Sequence, residues 1–527
     1  MKQFINRYLI DIKLCITLAL LTLSSCDKGF EEMNKNPNAY NEPVIANMFS
    51  LSVVNIAGTG DDRDHGNGSY ASGIMQYFAS LDTHLKGEKY LYDQGYNDVF
   101  FESGYHSHLK EIQQIIALIK DDAEQSNTYA MARILRVYAF QQITDLYGDV
   151  PYFEAEKGFT DGILRPTYDR QAEIYADLLK ELDESAQLLD PAKPNIGAAD
   201  LIYGGDIARW KRFAYSLMLR AAMRLTNADA GMAETYVKEA IAGGVMQSNT
   251  DIALLKHTNV TGLNWNWDSY YQHNEELPAD VKGHGSSKLC ATFIDFLKNT
   301  NDPRLPFFAT LWEGNVDPSK LAENSAPEKQ KGLPNGYDFT SIKDLIPNWN
   351  DNMYEEYSEI NLSTIASMSA PSIFQSYAEV ELLLAEASIR GWNNADAAEH
   401  YNNAVAAAME MVTVFPGNFN IAPSAISQYL ADHPFAAGDQ AMQMEQIGEQ
   451  YWVVHFFVDN IEAFANWRRT GYPVLQPVNY PGNQTGGVIP RRLLYPQSER
   501  VHNTGNYDAA VQAQGGDLYT TPVWWDK

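Results

Sequence analysis

Cysteine is nearly absent: three in 527 residues, Cys15, Cys26 and Cys290. Two of them lie close to the start, so the body of the chain cannot rely on an intrachain disulfide. At this length a hydrophobic core suffices. Positive charge is scarce as well, with 39 Lys and Arg against 67 Asp and Glu and a net charge of −28. That balance argues against a nucleic-acid reader, which needs clustered cations to displace counterions, and against adhesion to anionic headgroups; the acidity itself serves solubility. The early apolar run Leu14–Leu23 falls well short of the ~20 residues that span a bilayer.

Catalytic and metal signatures are lacking too. The chain has no Gly-rich phosphate loop, nucleophile elbow or HExxH. His106 and His108 would point apart on a helix, and no third ligand stands at metal-site spacing. In GTGDDRDHGNGSY, with Asp62 and Asp64 as first and third ligands, Gly66 falls at the fifth position of a calcium loop and no acid follows at the twelfth; the segment reads as an exposed loop. Among 67 acids, pairs such as Glu275-Glu276 and Glu355-Glu356 are expected by chance and do not mark a glycosidase. The reading is a protein without metal, cofactor or catalysis.

What is present begins with Lys2, Arg7 and Lys13 ahead of the apolar run, then Leu23-Ser24-Ser25-Cys26. A basic start, a short apolar core and small residues describe a secretory signal over residues 1–25, and the last four resemble a bacterial lipobox with Cys26 as the acylated first mature residue. Several acyl chains on one cysteine anchor stably. Removing Lys2, Arg7, Lys13 and Asp11 takes the net charge to −30. Residues 26–43 are polar and Asn-rich, a tether, and residues 44–527 form the domain.

Within that domain, Tyr377–Val412 reads as two helices back to back. Val380, Leu383, Leu384 and Ala387 form one apolar stripe, Gly391 ends the first helix, and Asp396 lies in the first turn of the second. Ala385, Ala397, Tyr401 and Ala404 give the small/large alternation of a tetratricopeptide hairpin, and Ala221, Ala233, Val237 and Ala240 repeat it. Further helices are predicted over Val44–Ala57, Gly73–Leu85, Tyr105–Lys120, Thr128–Tyr147 and Asp169–Leu189, and one along Ile447, Tyr451, Val454, Val458, Ile461 and Ala465. Such hairpins stack on one another because none buries its apolar face alone. Lys89–Asn97 is predicted as a loop, and Asp251–Pro371 as a long irregular insertion, the kind of segment that carries binding sites. The apolar tail Thr521–Asp526 is expected to dock on the body.

Aromatic residues are abundant, 31 Tyr, 22 Phe and 10 Trp, and the surplus points to a binding surface. Leu23–Cys26, Asn301-Asp302-Pro303-Arg304-Leu305, Tyr377–Val380 with Ala385-Glu386-Ala387, Asn466–Pro473, Pro490-Arg491-Arg492, Tyr495-Pro496, Glu499, Asn503 and Thr521–Asp526 together resemble the SusD/RagB family, closest to its second SusD-like subgroup. The resemblance covers essentially the whole chain. It implies a mostly α fold of tetratricopeptide-type hairpins with an irregular ligand-binding region. It also implies a lipoprotein on the outer face of the outer membrane that captures oligosaccharides and lids a SusC-like TonB-dependent porin. Asp27, Glu31 and Glu32 resemble the surface-export signal of such lipoproteins. Oligopeptide capture, as in RagB-like members, is the alternative.

A sugar ring offers C–H faces for stacking and hydroxyls for amides and carboxylates. Trp265, Trp267, Asp268, Tyr270 and Tyr271 supply both, with Trp349, Tyr96 and Asn97 as further ligand-binding candidates.

Overall fold

Aspartate starts six of the helices that carry the fold. The computed structural model describes residues 43–58, 63–158, 161–258, 287–313 and 322–526. The first helices in chain order are α1 (Ile45–Ile56), α2 (Gln94–Ser103), α3 (Lys110–Ile119), α4 (Ser126–Tyr147), α5 (Gln171–Leu188), α6 (Ile207–Arg224) and α7 (Ala230–Gly243). After them come α8 (Ala291–Asn299), α9 (Tyr377–Ile389), α10 (Ala397–Met411), α11 (Pro423–Asp432), α12 (Gln440–His455), α13 (Asn460–Thr470) and α14 (Thr504–Gln514). Asp93, Asp206, Asp229, Asp396, Asp439 and Asp459 each accept a backbone N–H in the first turn of the helix that follows, and Ser376 does the same for α9. These caps satisfy otherwise orphaned donors and place negative charge at the positive end of the helix dipole. Part of the acidity is therefore structural. Asp396 is the cap itself, accepting from Ala398 N at 2.9 Å, one position earlier than the first turn predicted for it.

Helices α4 to α7 pack each on its predecessor, α9 packs on α10, α12 and α6, and α13 packs on α12 and α4. The small residues sit where they allow close approach: Ala221, Ala233, Ala240, Ala385 and Ala404 are fully buried. Gly391 ends α9 with φ 75°, a left-handed conformation that a residue without Cβ adopts at no steric cost. The helical-hairpin architecture is as the sequence implies.

Several local expectations are corrected. Helix α9 is not one-sided: every residue from Ala378 to Ala387 is buried, including Glu379, Glu381 and Glu386. Only Ser72–Ile74 is helical in the segment predicted over Gly73–Leu85; Gln76 at φ 56° turns the chain into strand β1 (Phe78–Ala79), and Tyr77 stacks on Trp452 at 5.4 Å. Arg63–Ala71, predicted as an exposed loop, is a π-helical segment held on α13 by Asn67, whose Oδ1 accepts Ile461 N at 3.2 Å. The helix predicted through Ile447 and Ala465 breaks at Phe457 (φ 59°), with Asp459 capping the second half. The insertion predicted as irregular also contains α8 and small antiparallel sheets. Strand β2 (Ala253–Leu255) pairs with β7 (Ser372–Gln375), β3 (Lys288–Leu289) pairs with β1, and β4 (Ala309–Glu313) lies between β5 (Ala322–Asn324) and β6 (Glu359–Ile360).

A buried ionic lattice joins the elements. Arg220 of α6 grips Glu379 of α9 through two bonds of 2.7 and 2.5 Å. His455 lies 3.2 Å from the same carboxylate. Arg224 reaches Glu462 at 2.5 Å and Asp145 at 3.2 Å, and Tyr451 donates to Glu462 at 2.6 Å. Arg469 holds Glu386 at 2.5 and 2.6 Å. Burial alone would raise the Glu379 carboxyl, but Arg220 and His455 hold it down at about 2. Asp145 goes the other way: burial raises it in spite of Arg224.

The residues that carried the family resemblance turn out to be struts of this lattice. Arg304 pairs with Asp302 at 2.6 Å and donates to Gln450 at 2.8 Å. Arg491 holds Asp526 at 2.6 Å. Trp525 is fully buried, donates to Asp145 at 3.0 Å and lies against the guanidinium groups of Arg224 and Arg468. The apolar tail docks as expected. Cys290 is a buried free thiol. Among the described residues, no helix is long and apolar enough to cross a membrane.

Candidate ligand-binding surface

Three segments without regular structure meet beside the β1–β3 ladder. The first runs from Leu81 to the cap of α2, the second surrounds Gly336, and the third follows α13 through Val478 and Tyr480. Their contacts are polar and specific. Gly336 N donates to Glu88 Oε1 at 2.8 Å, Val478 N to the Tyr90 hydroxyl at 3.2 Å, and Gln484 N to Tyr90 O at 2.9 Å. Tyr480 donates to Asp338 Oδ2 at 2.8 Å. Gly336 has φ 82°, and a Cβ there would stand 2.6 Å from Val478, so both conformation and space require glycine.

A buried pair lies beneath the junction. Lys89 donates to Glu88 at 2.8 Å and to the carbonyls of Ser80 and Asp82 at 2.6 and 2.8 Å, while Glu88 also accepts Ser80 N at 3.0 Å. Burial raises the Glu88 carboxyl above its ordinary range despite the Lys89 ammonium. With all these partners the pair fixes the geometry of the loops.

Above it the surface is aromatic. Phe339 is 41 % exposed, its ring 5.8 Å from that of Tyr354. Tyr337 and Tyr480 are half-buried, and the Lys89 ammonium lies 5.6 Å from the Tyr480 ring. Asp338 accepts the N–H groups of Ser341 and Thr340, and these with the Tyr480 hydroxyl hold its carboxyl down to about 2. An ionised acceptor thus stands between aromatic faces, an arrangement suited to a ligand with apolar faces and hydroxyl edges.

The structure distributes the sequence candidates unevenly. Trp265, Trp267, Asp268, Tyr270 and Tyr271 lie outside the described residues, as does Cys26. Tyr96 is half-buried in the first turn of α2, not in a loop, because Asp93 caps that helix; the Lys86 ammonium is 5.4 Å from its ring. Asn97 is fully buried, its amide donating to Leu494 O at 2.8 Å and accepting Leu494 N at 3.0 Å. Trp349 is 6 % exposed and packs with Ala79, Leu81, Cys290, Leu333, Tyr354 and Tyr357. Asn97 and Trp349 therefore brace the region from within. Sequence reasoning passed over Asp338, Phe339 and Tyr480. Their signal was an aromatic beside turn residues, in Asn335-Gly336-Tyr337-Asp338-Phe339 and Asn479-Tyr480-Pro481-Gly482-Asn483.

Residues 37–496 match the family model SusD-like, described as starch-binding associating with outer membrane. The chain belongs to this SusD-like family. Among solved structures, one titled chitin-binding protein is 32 % identical, with 92 % of this chain and 100 % of that chain covered and a TM-score of 0.79. A Bacteroidetes SusD-like protein is 27 % identical over 92 % of this chain and 100 % of its own, with a TM-score of 0.81. A chitin-binding SusD homolog from Flavobacterium johnsoniae shares the fold, at 23 % identity, 92 % and 98 % coverage and a TM-score of 0.75. No curated protein matches the chain. The SusD-like body thus extends through nearly all of the described residues, and the three-loop surface belongs to its less regular part.

Proposed function

We propose that this SusD-like protein is a surface lipoprotein, anchored in the outer membrane through acylated Cys26, that binds oligosaccharides and hands them to a SusC-like TonB-dependent transporter, for which it forms the lid. It acts by binding, without catalysis. The observation that carries the reading is the ionised Asp338 set between Phe339, Tyr337 and Tyr480, a site that can stack on sugar faces and accept from sugar hydroxyls. Trp265, Trp267, Asp268, Tyr270 and Tyr271 extend the same aromatic chemistry, with Tyr96 at its edge and Asn97 and Trp349 as internal braces. The 32 % identical relative titled chitin-binding protein makes chitooligosaccharides the first ligands to try.

Calorimetry with chitooligosaccharides and with a peptide pool tests the reading. Saturable binding of the saccharide is expected, weakened at least ~10-fold by Phe339→Ala with Tyr480→Ala, since loss of two stacking faces removes upward of ~1.4 kcal/mol. The double change Trp265→Ala and Trp267→Ala should weaken it in the same way. Heat with peptides alone would move the ligand to oligopeptides and overturn the saccharide assignment.

A further inference from the structure

Two oxygens of the three-loop surface are left with lone pairs and no proton to give. Asp338 is ionised, so its oxygens only accept. Tyr480 donates its single hydroxyl proton to Asp338 Oδ2 at 2.8 Å, which leaves the phenolic oxygen as an acceptor too. The two ends of the carboxylate differ. Oδ1 takes the N–H groups of Ser341 and Thr340 at 2.7 and 2.8 Å and the Ser341 hydroxyl at 3.0 Å. Oδ2 takes Tyr480 alone among the described residues. Both side chains are only half-buried, so the two acceptors stand side by side at the surface.

The charge of Asp338 is held by neutral donors; no Lys or Arg pairs with it among the described residues. The nearby Lys89 ammonium is committed to Glu88 and to the carbonyls of Ser80 and Asp82. Other tyrosine–carboxylate bonds are closed off. Tyr507 donates to Asp517 at 3.0 Å, but Arg500 and Arg492 take up that carboxylate at 2.9 and 3.3 Å. Tyr168 donates to Glu499 Oε2 at 2.9 Å, where Asn503 also donates at 3.0 Å. The open pair is fixed from below as well. Glu88 accepts Gly336 N and the Tyr90 hydroxyl accepts Val478 N, and these two donors stand two positions ahead of Asp338 and Tyr480. Tyr90 is buried and holds φ 55°, a costly conformation that persists where the surroundings enforce it.

We propose that Asp338 Oδ2 and the Tyr480 oxygen form a double acceptor that selects its ligand by two adjacent hydrogen-bond donors, a vicinal diol or a hydroxyl beside an amide N–H. Bonds to an ionised oxygen are the stronger kind, and acceptors already fixed lose little freedom on binding. A ligand with ethers or esters at those positions supplies no donor and would desolvate the carboxylate without a partner. That the donors are carried on a saccharide rests on the function proposed above.

Triacetylchitotriose titrated against the wild type, Tyr480→Phe and Asp338→Asn tests the selection. Tyr480→Phe keeps the stacking face and removes one acceptor, and the affinity is expected to fall several-fold. In Asp338→Asn the N–H groups of Ser341 and Thr340 draw the amide carbonyl to the place of Oδ1, so an amide NH2 faces the ligand where Oδ2 stood. The affinity should then fall roughly tenfold or more. Tyr480→Phe leaves the Ser341 and Thr340 bonds in place, so its result stands whatever Asp338→Asn does to the turn. Unchanged or improved affinity in Tyr480→Phe, or a gain in Asp338→Asn, would overturn the double acceptor. If Phe339→Ala with Tyr480→Ala still weakened binding in that case, the stacking site would remain without it. A wild type that binds no triacetylchitotriose would overturn the donor selection and the saccharide reading together.

Discussion

Arg220→Met should be among the most damaging single changes that leave the surface untouched. Arg220 is 3 % exposed. Its removal leaves Glu379 with the His455 imidazole at 3.2 Å, and takes from Glu462 a second cation at 3.8 Å. Breaking a buried pair by deleting one member destabilises by ~3–5 kcal/mol, because the remaining charge is buried without compensation. The titration of Glu379 has the same sign: burial would raise its carboxyl, yet Arg220 holds it below its ordinary value, so the pair contributes stability at neutral pH. With a urea slope of ~3 kcal/mol/M, the midpoint should fall by about 1 M. The double variant Arg220→Met/Glu379→Gln should regain part of the loss, since no unpaired carboxylate is left behind. The sign with pH is fixed too. A carboxyl depressed by folding contributes fully above its unfolded value of 4.5 and loses that contribution as pH falls toward 2. Wild type should therefore lose more stability between pH 6 and pH 3 than Arg220→Met does. An unchanged midpoint in Arg220→Met, or a double variant no more stable than the single one, would refute the argument.

Two further outcomes follow from burial. Glu449 is raised to about 7 by its buried position and by Glu445 one turn away, so the folded state binds a proton that the unfolded state releases near 4.5, and stability declines as pH climbs from there through 7. Because the side chain is partly solvated, Glu449→Gln should stabilise by only about 1–2 kcal/mol at pH 8 and not at pH 5, read as a pH-dependent difference in thermal midpoint. Trp525→Ala should cost ~3–5 kcal/mol for a large buried aromatic, whereas Trp525→Phe should lose chiefly the bond to Asp145, ~1 kcal/mol; urea unfolding of the two variants separates the contributions.

The helices were legible wherever packing is local. Thr128–Tyr147 and Asp169–Leu189 were predicted within two residues of α4 and α5, because apolar spacing within one helix is a property of the sequence. Gly391 and the alanines at close approach were legible for the same reason. The break at Phe457 was not, since apolar spacing alone continues across it and the Asp459 cap decides the matter. The loop surface was only half visible. Tyr96 was singled out, but Asp338 and Tyr480, 142 positions apart and joined by a 2.8 Å bond, carry no mark of each other in the chain. Trp349 and Asn97 drew notice as an aromatic and an amide in polar stretches, and burial gave both to the interior.

By itself the sequence determined the helical class, the hairpins and the family resemblance, because periodicity and motif order are written locally. Only the tertiary structure decided what the family's charged residues do. Glu379, Glu386, Asp302 and Asp526 carry no mark of burial in the sequence, and folding brings an arginine to each. A charge is tolerated in the interior only when its partner arrives with it, and all but one of those partners come from other parts of the chain.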